Sequence, residues 1–545
     1  MLLNLAIDAW LPVRRRSGSV VRIAPWELTD ENPVVAFAWS RPDFDAAARE
    51  LVIGLLATAC PDRLSERAWL DWWRRPPSAE ELRQRLEPLA GCFELDGDGP
   101  RFMQDLDPLA EGSDNEVAAL LIDSPGGQTL EQNRDLFVKR RRVEVLGRSA
   151  AAMALFTLNA FAPAGGAGIR TSLRGGGPFT CLVVPTLPAN EPLTLWHLLW
   201  LNAIAPPEAG RQPERRFAWC LPTVMSKGPG TELSAMDVDP LQVFWSMPRR
   251  THLVFEANPQ GRACDLTGEV EPVVVRRYRS RPYGNNYKRW SRAHPLTPYY
   301  RPKAGDSEWL ARHPQPGRLA YRDWVGLVVA DGSGQTGLAA PAAIVGTARQ
   351  RLRDARQDGA GARLVAAGYD MDNMKPRGFV ESVMPIVALD ETEAEAVAAL
   401  AKRLVAGADA ASRLLVGCIR QALAADAADK GEAQQAKDRL WAETEPRFFD
   451  LLARIASAAA SEDEPTVLCG GWRGHLACQA RMIFDDTCPL DPEAPRGIGT
   501  TLAARRRLGI GLEGYGKEGA ALFMALGLAP PSSTRKAGSG RKEQA

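Results

Sequence analysis

The sequence predicts an α+β fold, in which a large mixed N-terminal domain is followed by a C-terminal four-helix bundle. With 545 residues the chain is too long for one compact core. Up to about Met384, short strand-like runs and helices follow one another without regular alternation, and after Pro385 long amphipathic segments take over. We therefore place the domains at 1–385 and 386–530. The last residues, 531–545, are almost without apolar side chains and are expected to form a flexible tail.

The elements of the first domain are predicted from residue type and spacing. Runs rich in apolar and β-branched residues predict strands at Val20–Ala24, Phe179–Pro185, Thr251–Glu256, Val273–Tyr278 and Trp324–Ala330. Helical spacing predicts helices at Asp43–Cys60 and Pro192–Ala203. The irregular order of strands and helices argues against a doubly wound parallel sheet.

The second domain is predicted from four helical segments with modest connections. These are Glu393–Ala424, Lys430–Ala460, Thr466–Asp486 and Gly497–Leu526. The first carries an apolar stripe at helical spacing, made of Val397, Leu400, Leu404, Ala411, Leu415 and Cys418. A four-helix bundle is the simplest arrangement that buries such stripes.

The composition restricts the classes of function. A net charge of +1 does not by itself indicate a polyanion partner, so any nucleic-acid surface requires local clustering of basic residues. No segment has the roughly 20 uncharged apolar residues of a membrane span, and the start lacks the pattern of a secretory signal, which predicts a cytoplasmic protein. The nine cysteines include no C-x-x-C pair, so we predict reduced thiols, no metal and no cofactor.

The motifs of common enzymes are absent or out of context. Gly509–Gly514 matches G-x-G-x-x-G but lies inside the last helical segment instead of between a strand and a helix. Asp370, Asp372 and Glu381 are candidate magnesium ligands of a metal-dependent nuclease. The basic residues between them make a solvated turn the more economical interpretation, and the nuclease stays open as an alternative.

The strongest local signal for a polyanion lies in residues 272–303. This stretch holds nine Arg and Lys side chains and no acid, interleaved with five Tyr and one Trp. Basic side chains neutralise phosphates, and aromatic rings can stack on bases. The alternative is an exposed basic strand and loop packed by its own tyrosines.

Two further segments have the composition of ligand-binding loops. Four basic residues follow Phe137, namely Lys139, Arg140, Arg141 and Arg142, and they suit a loop that becomes ordered on a nucleic acid or a partner. Six glycines lie between Gly165 and Gly177, where backbone amides can approach a phosphate or a groove edge. A flexible turn is the simpler alternative for the glycines.

Taken together, these residues resemble the CasA family, the large subunit of the type I-E CRISPR Cascade surveillance complex. The resemblance covers about the whole chain, in order along it. It rests on the opening NLAIDAWLPVRRRSG and on Arg101–Gln104, Ser172–Pro178, His294–Pro298 and Gly368–Asn373. It implies the α+β body with a four-helix bundle, and a non-catalytic role in antiviral defence.

The resemblance also implies roles for particular residues. Gly165, Gly166, Ala167 and Gly168 match a loop that approaches the minor groove of the protospacer-adjacent motif (PAM). Asp372, Asn373 and Met374 match a wedge that enters the duplex beside this motif, where asparagine replaces the family's longer glutamine. A lysine finger is expected at Lys288 or Arg281. Contact with the guide RNA or a neighbouring subunit is expected at Phe137 and Lys139–Arg142, and contact of the bundle with a DNA strand at Arg505, Arg506 and Arg507.

The partners implied are double-stranded target DNA, the CRISPR guide RNA, the other Cascade subunits and a helicase-nuclease that is recruited after R-loop formation; no membrane is implied. Some relatives have a cysteine cluster near Cys264 that resembles a zinc site, but this chain has only that thiol there, so we predict no zinc. A stand-alone RNA-binding protein of another system is a further alternative.

Overall fold

The chain forms two compact units in a computed structural model. One unit consists of Met1–Pro316 and Gly326–Ile386, and the other of Gly317–Val325 and Val387–Ala545. The structure describes residues 2–136, 138–187, 193–315, 319–331, 338–355, 361–387, 391–423, 427–457, 464–490 and 497–531. The predicted α+β class with a helical C-terminal region is confirmed. Helix α10 follows the mixed unit directly, close to the predicted boundary.

The mixed part of the chain contains short helices and strands. Its helices are α1 (Pro42–Ala59), α2 (Glu66–Arg74), α3 (Ala79–Leu86), α4 (Gly127–Glu131), α5 (Arg148–Phe161), α6 (Leu195–Asn202), α7 (Gln242–Trp245), α8 (Trp324–Leu327) and α9 (Ala343–Asp354). Its strands are β1 (Leu11–Arg15), β2 (Val20–Ile23), β3 (Val34–Phe37), β4 (Ser113–Glu116), β5 (Leu146–Gly147), β6 (Thr180–Pro185), β7 (Glu232–Leu233), β8 (Arg250–Ala257), β9 (Val273–Arg281), β10 (Asn286–Tyr287), β11 (Tyr299–Tyr300), β12 (Leu310–Ala311), β13 (Ala339–Ala340), β14 (Ala362–Asp372) and β15 (Lys375–Ile386).

Two antiparallel sheets support the segments of functional interest. In one, β14 lies between β15 and β6, so the β14–β15 hairpin extends from a paired base. In the other, β9 pairs with β8 along its length and with the short β4 and β5. Helices α1 and α5 are buried along most of their lengths, and together they form the core beneath these sheets.

A buried polar cluster joins two of the recognised motifs. Arg174 and Glu50 form an ion pair of 2.8 Å with both side chains almost fully buried. Thr180 Oγ1 donates to the other oxygen of Glu50 at 2.6 Å, and His294 Nε2 lies 3.4 Å from the carboxylate. Burial alone would raise the pKa of Glu50, but the charge of Arg174, the neighbouring His294 and the bond from Thr180 lower it to about 2. Burial lowers the pKa of His294 to about 4, so this imidazole is neutral at pH 7.

The predicted strand at Trp324–Ala330 is wrong. Residues 324–327 form helix α8 instead. Trp324, Leu327 and Val328 are all fully buried, so the segment is an apolar run with no polar alternation. Such a run cannot be assigned to a strand or a helix by periodicity alone.

The second unit is helical, with α10 (Glu391–Ala422), α11 (Ala427–Ser457), α12 (Glu464–Thr487), α13 (Ile498–Leu512) and α14 (Gly516–Ala525). Every member of the predicted stripe on α10 is buried. The fourth predicted segment is two helices, because the chain turns at Gly514 with a φ of +95°. A Cβ on Gly511 would lie 2.6 Å from Leu414 of α10, so this glycine allows α13 to pack closely on α10. Among the described residues, no helix has the length and apolar character to cross a membrane.

Candidate nucleic-acid interface

The first candidate segment is the glycine loop, Gly165–Gly168. Gly165, Gly166 and Ala167 are exposed, whereas Gly168 is half-buried. The Tyr283 N–H donates to Gly168 O at 2.7 Å, and a Cβ on Gly168, whose φ is +77°, would lie 2.9 Å from the Tyr283 ring. Only glycine fits this conformation and this contact. The loop therefore packs against the basic-aromatic segment at Gly168, and the backbone of Gly165–Ala167 is open to solvent.

The second segment is the glycine seat, Gly175–Gly177. Gly177 has a φ of +67°, and a Cβ there would lie 2.6 Å from Tyr369 O of β14. A Cβ on Gly176 would lie 2.8 Å from Met374 Sδ. The absence of side chains thus lets the β14–β15 hairpin pack directly on this backbone. Arg174 directly precedes Gly175, and its ion pair with Glu50 fixes this end of the glycine seat.

The third segment is the hairpin tip, Asp372–Lys375, which closes β14 and β15. Asp372 pairs with Lys375, which leaves Asn373 and Met374 as a two-residue loop with φ values of +47° and +64°. Positive φ at both positions matches the turn type that suits a twisted antiparallel hairpin. Asparagine tolerates this conformation, but for methionine it is strained. Both side chains are exposed, with Met374 44% exposed.

The structure thus brings together segments that are some 200 residues apart in the sequence. Met374 touches Gly176, and Gly176 in turn lies against Pro163, two residues before the glycine loop. Asn373 bonds only to its neighbour Asp372 among the described residues, with Nδ2 donating at 3.3 Å. The predicted solvated turn is therefore the end of a long hairpin, and it rests beside the glycine loop.

The basic-aromatic segment contributes less exposed aromatic surface than its composition indicates. Tyr278, Tyr287, Trp290 and Tyr299 are all buried, which favours the alternative that the segment is packed by its own rings. Arg281 ends β9 and pairs with Glu111 at 2.7 Å. Lys288 is exposed and has no ion pair within the described residues. Of the two finger candidates, Arg281 lines a cleft beside the glycine loop and Lys288 does not.

Besides Arg281, that cleft contains cations that the sequence did not single out. It measures about 300 Å³ and includes Arg170, Arg249, Arg250 and Arg281 in its lining. Arg170 follows the glycine loop by two residues and could have been noticed. Arg249 is distant in sequence, and only the fold reveals its place. Lys227 also approaches, with Nζ 5.6 Å from the centre of the Tyr283 ring.

The loop with the second basic cluster is only partly open to a partner. Phe137 lies outside the described residues. Arg140 is held by two bonds to Asp135, both of 2.6 Å. Arg141 is highly exposed and 3.9 Å from Glu144. Lys139 and Arg142 are exposed and have no ion pair in the described part of the chain.

The three candidate arginines of the helical unit, Arg505, Arg506 and Arg507, also differ in whether they are already ion-paired. Arg505 makes a bidentate ion pair with Asp485, at 2.6 and 2.8 Å. Arg507 pairs with Glu518 at 2.5 Å. Arg506 is exposed and has no ion pair with any described residue. It lines a groove between α12 and α13 of about 690 Å³.

The three carboxylates of the nuclease alternative do not converge. Asp370 lies opposite Gly378 in the ladder and is held by Arg377 at 2.7 Å. Glu381 is three residues beyond Gly378, so its side chain is on the other face of the hairpin, where it bonds to Arg49 at 3.2 Å. Within the described residues, no group of three or more His, Cys, Asp or Glu side chains could hold a metal ion.

Comparison with known proteins identifies the class. A family model described as CRISPR-associated protein Cse1 matches residues 4–482, most of the chain. The chain therefore belongs to the Cse1 family of CRISPR-associated proteins. The Thermus thermophilus member carries both names, CasA and Cse1, so the resemblance drawn from the sequence motifs is confirmed.

Solved structures agree on the fold. Cse1 from Thermobifida fusca is 19% identical with a TM-score of 0.69, and the match covers 97% of this chain and 99% of that one. CasA from Thermus thermophilus is 18% identical with a TM-score of 0.66, covering 93% and 99%. A chain of a CRISPR RNA-guided surveillance complex is 15% identical with a TM-score of 0.64, again covering 93% and 99%.

Proposed function

We propose that this protein is the non-catalytic large subunit of a type I-E CRISPR RNA-guided surveillance complex. In this role it recognises the PAM in duplex DNA, promotes strand separation and R-loop formation, and recruits a separate helicase-nuclease. Its family and its likeness to a chain of such a complex support membership. The observation that carries the DNA role is the contact of the hairpin tip with the glycine seat, next to the glycine loop.

The proposed mechanism is differential binding. Exposed backbone at Gly165–Ala167 reads the minor groove, where the acceptor pattern is degenerate and backbone contacts tolerate several sequences. The tip residues Asn373 and Met374 then enter the duplex beside the motif and unstack a base step. Guide pairing supplies the sequence specificity, and the protein stabilises the open state.

Basic side chains without an ion pair among the described residues provide further contacts with RNA, DNA or a neighbouring subunit. Lys139 and Arg142 are the cations of their loop that are free to meet guide RNA or a neighbouring subunit, since Arg140 is already held by Asp135. On the helical unit, Arg506 is the member of its triplet that is available to a DNA strand. We propose no metal and no cofactor, because the chemistry of cutting belongs to the recruited partner.

The test uses the assembled complex with duplexes that differ only in a three-base motif beside the target. Wild type should prefer one motif, and the double variant Asn373→Ala, Met374→Ala should keep its fold but lose motif-dependent unwinding. Val383→Ala is the matched control, because Val383 is an exposed hairpin residue far from the tip. Unchanged unwinding in the double variant would show that the wedge assignment is wrong.

Two rival functions have their own outcomes. Cleavage of DNA or RNA by the isolated chain with Mg²⁺ or Mn²⁺, abolished by Asp372→Ala, would establish the nuclease and overturn the non-catalytic role. Tight binding of RNA alone, without companion subunits and without a response to duplex motifs, would establish a stand-alone RNA-binding protein.

A further inference from the structure

The cleft beside the glycine loop has an unbalanced charge. Among the residues that the structure describes, its lining contains four arginines and no acidic side chain. Two of the four are neutralised elsewhere. Arg250 pairs with Asp105 at 2.5 Å and with Asp107 at 3.3 Å, and Arg281 pairs with Glu111.

The other two arginines have no carboxylate partner among the described residues. Arg170 donates to Ser226 Oγ at 2.8 Å and to Ser226 O at 2.6 Å. Arg249 donates from Nη2 to Pro163 O, and its buried Nε has no hydrogen-bond partner in the described part of the chain. Both are therefore cations held only by neutral groups.

Burying the charged guanidinium of Arg249 costs free energy when no anion lies beside it. Burial lowers its pKa to about 10, so it stays charged at neutral pH without a carboxylate to offset the lost hydration. Its Nη1 lies 3.5 Å from where a Cβ of Gly165 would be. The guanidinium is thus directly beneath the glycine loop, and its bond to Pro163 fixes the start of that loop.

We propose that this arginine cleft, lined by Arg170 and Arg249, binds one backbone phosphate of the DNA strand whose groove edge the glycine loop contacts. A guanidinium matches phosphate geometry and binds it through charge-assisted hydrogen bonds. The volume of about 300 Å³ leaves room for a phosphate and its hydration. On the cleft wall, Ser280 Oγ accepts from Asn115 Nδ2 at 3.0 Å, so the Ser280 hydroxyl can still donate to a phosphate.

This inference rests on the proposed function, because it assigns the phosphate to the same DNA. A contact of this kind would give the complex a fixed register on the duplex without reading any base. The bases would then be read by the loop, and their position relative to the hairpin tip would be set by the phosphate.

The test is a methylphosphonate scan on the assembled complex. Each phosphate flanking the motif is replaced in turn by a neutral methylphosphonate, and binding is measured for wild type and for Arg249→Gln and Arg170→Gln. One position should weaken wild-type binding about 10- to 100-fold, as expected for hydrogen bonds to a charged group. The same replacement should cost little in the Arg249→Gln complex, because the interaction is already lost.

The salt dependence provides a second measurement that a purely structural role would not change. Losing one phosphate contact should reduce the slope of log binding constant against log salt by about 0.9 on duplex DNA. Arg277→Gln is the matched control, since Arg277 is an exposed cation of β9 that does not line the cleft. It should leave the sensitive position sensitive.

Several outcomes would overturn the inference. The scan of wild type needs no variant to fold, and the absence of any single sensitive phosphate beside the motif refutes the cleft. A sensitive phosphate that stays equally sensitive in both variants refutes the assignment to these arginines. If motif preference persists in either case, phosphate binding by the cleft is refuted and the proposed function stands. If wild type has no motif preference at all, the proposed function is refuted.

Discussion

Replacing Met374 with glycine should separate folding from strand opening. The residue lies in the two-residue loop at the hairpin tip with a φ of +64°, a conformation that glycine adopts freely. The change removes the side chain that is proposed to enter the duplex and keeps the turn. Lys375→Ala at the end of the same tip is the control, because it leaves Asn373 and Met374 intact.

The expected effect on stability is a near cancellation. Releasing a non-glycine residue from the left-handed region gains about 1 to 2 kcal/mol. The side chain is 44% exposed, so a little more than half of its surface is buried against Gly176 and its surroundings. Losing that share of the roughly 1.5 to 3 kcal/mol for burying a large apolar side chain costs about 1 to 2 kcal/mol. The net change in unfolding free energy should stay within about 1 kcal/mol.

Two measurements check this reasoning. Denaturant unfolding of the isolated chain gives the change in stability, and a fluorescent base analogue beside the motif reports unwinding in the assembled complex. Stability near that of wild type with strongly reduced unwinding is expected. A loss of more than about 2 kcal/mol would refute the strain argument, and normal unwinding would refute the role of the side chain.

Further predictions concern the buried pair and the helical unit. Arg174→Ala should lower the unfolding free energy by about 3 to 5 kcal/mol in denaturant titrations, because it leaves the Glu50 charge buried and unpaired; a loss below about 1 kcal/mol would contradict this. Since the pKa of Glu50 is lowered to about 2 from a free value of about 4.3, the ionised carboxylate contributes stability above the free value, and acid unfolding should remove this contribution as the pH falls from about 4 towards 2. Arg506→Ala should weaken DNA binding by the complex and lower its salt slope, whereas Arg505→Ala, whose charge Asp485 already neutralises, should change both less; equal effects would refute this distinction.

The sequence was sufficient where local pattern dominates. The stripe of α10 was predicted because burial on one face imposes a helical period, and the strands around Thr251 and Val273 because runs of apolar and β-branched residues favour strands. The long β14–β15 hairpin was missed, since its turn is Asn-Met instead of the usual Asn-Gly, and β14 contains a run of small and apolar residues without strict alternation.

The candidate site was predictable only in part. The glycines and the tip residues were identified through family resemblance, but nothing local indicates that Met374 rests on Gly176. Whether a basic residue is already ion-paired also depends on tertiary structure. Arg505 and Arg506 are equivalent in the sequence, and only the fold shows that Arg505 is ion-paired whereas Arg506 has no ion pair with a described residue.

Because the hairpin tip contacts the glycine seat, we expect Gly176 and Met374 to be energetically coupled in unwinding. In Gly176→Ala the new methyl group would lie 2.8 Å from Met374 Sδ and 3.2 Å from Pro163 Cα, so the Met374 side chain must move away and the backbone at Pro163 must give by a few tenths of an ångström. Unwinding and motif preference should therefore fall together. In the Met374→Gly background the closer of the two clashes is absent, and Gly176→Ala should have a much smaller additional effect. A double-mutant cycle on unwinding should thus be non-additive, and additive losses would mean that the tip and the seat act independently.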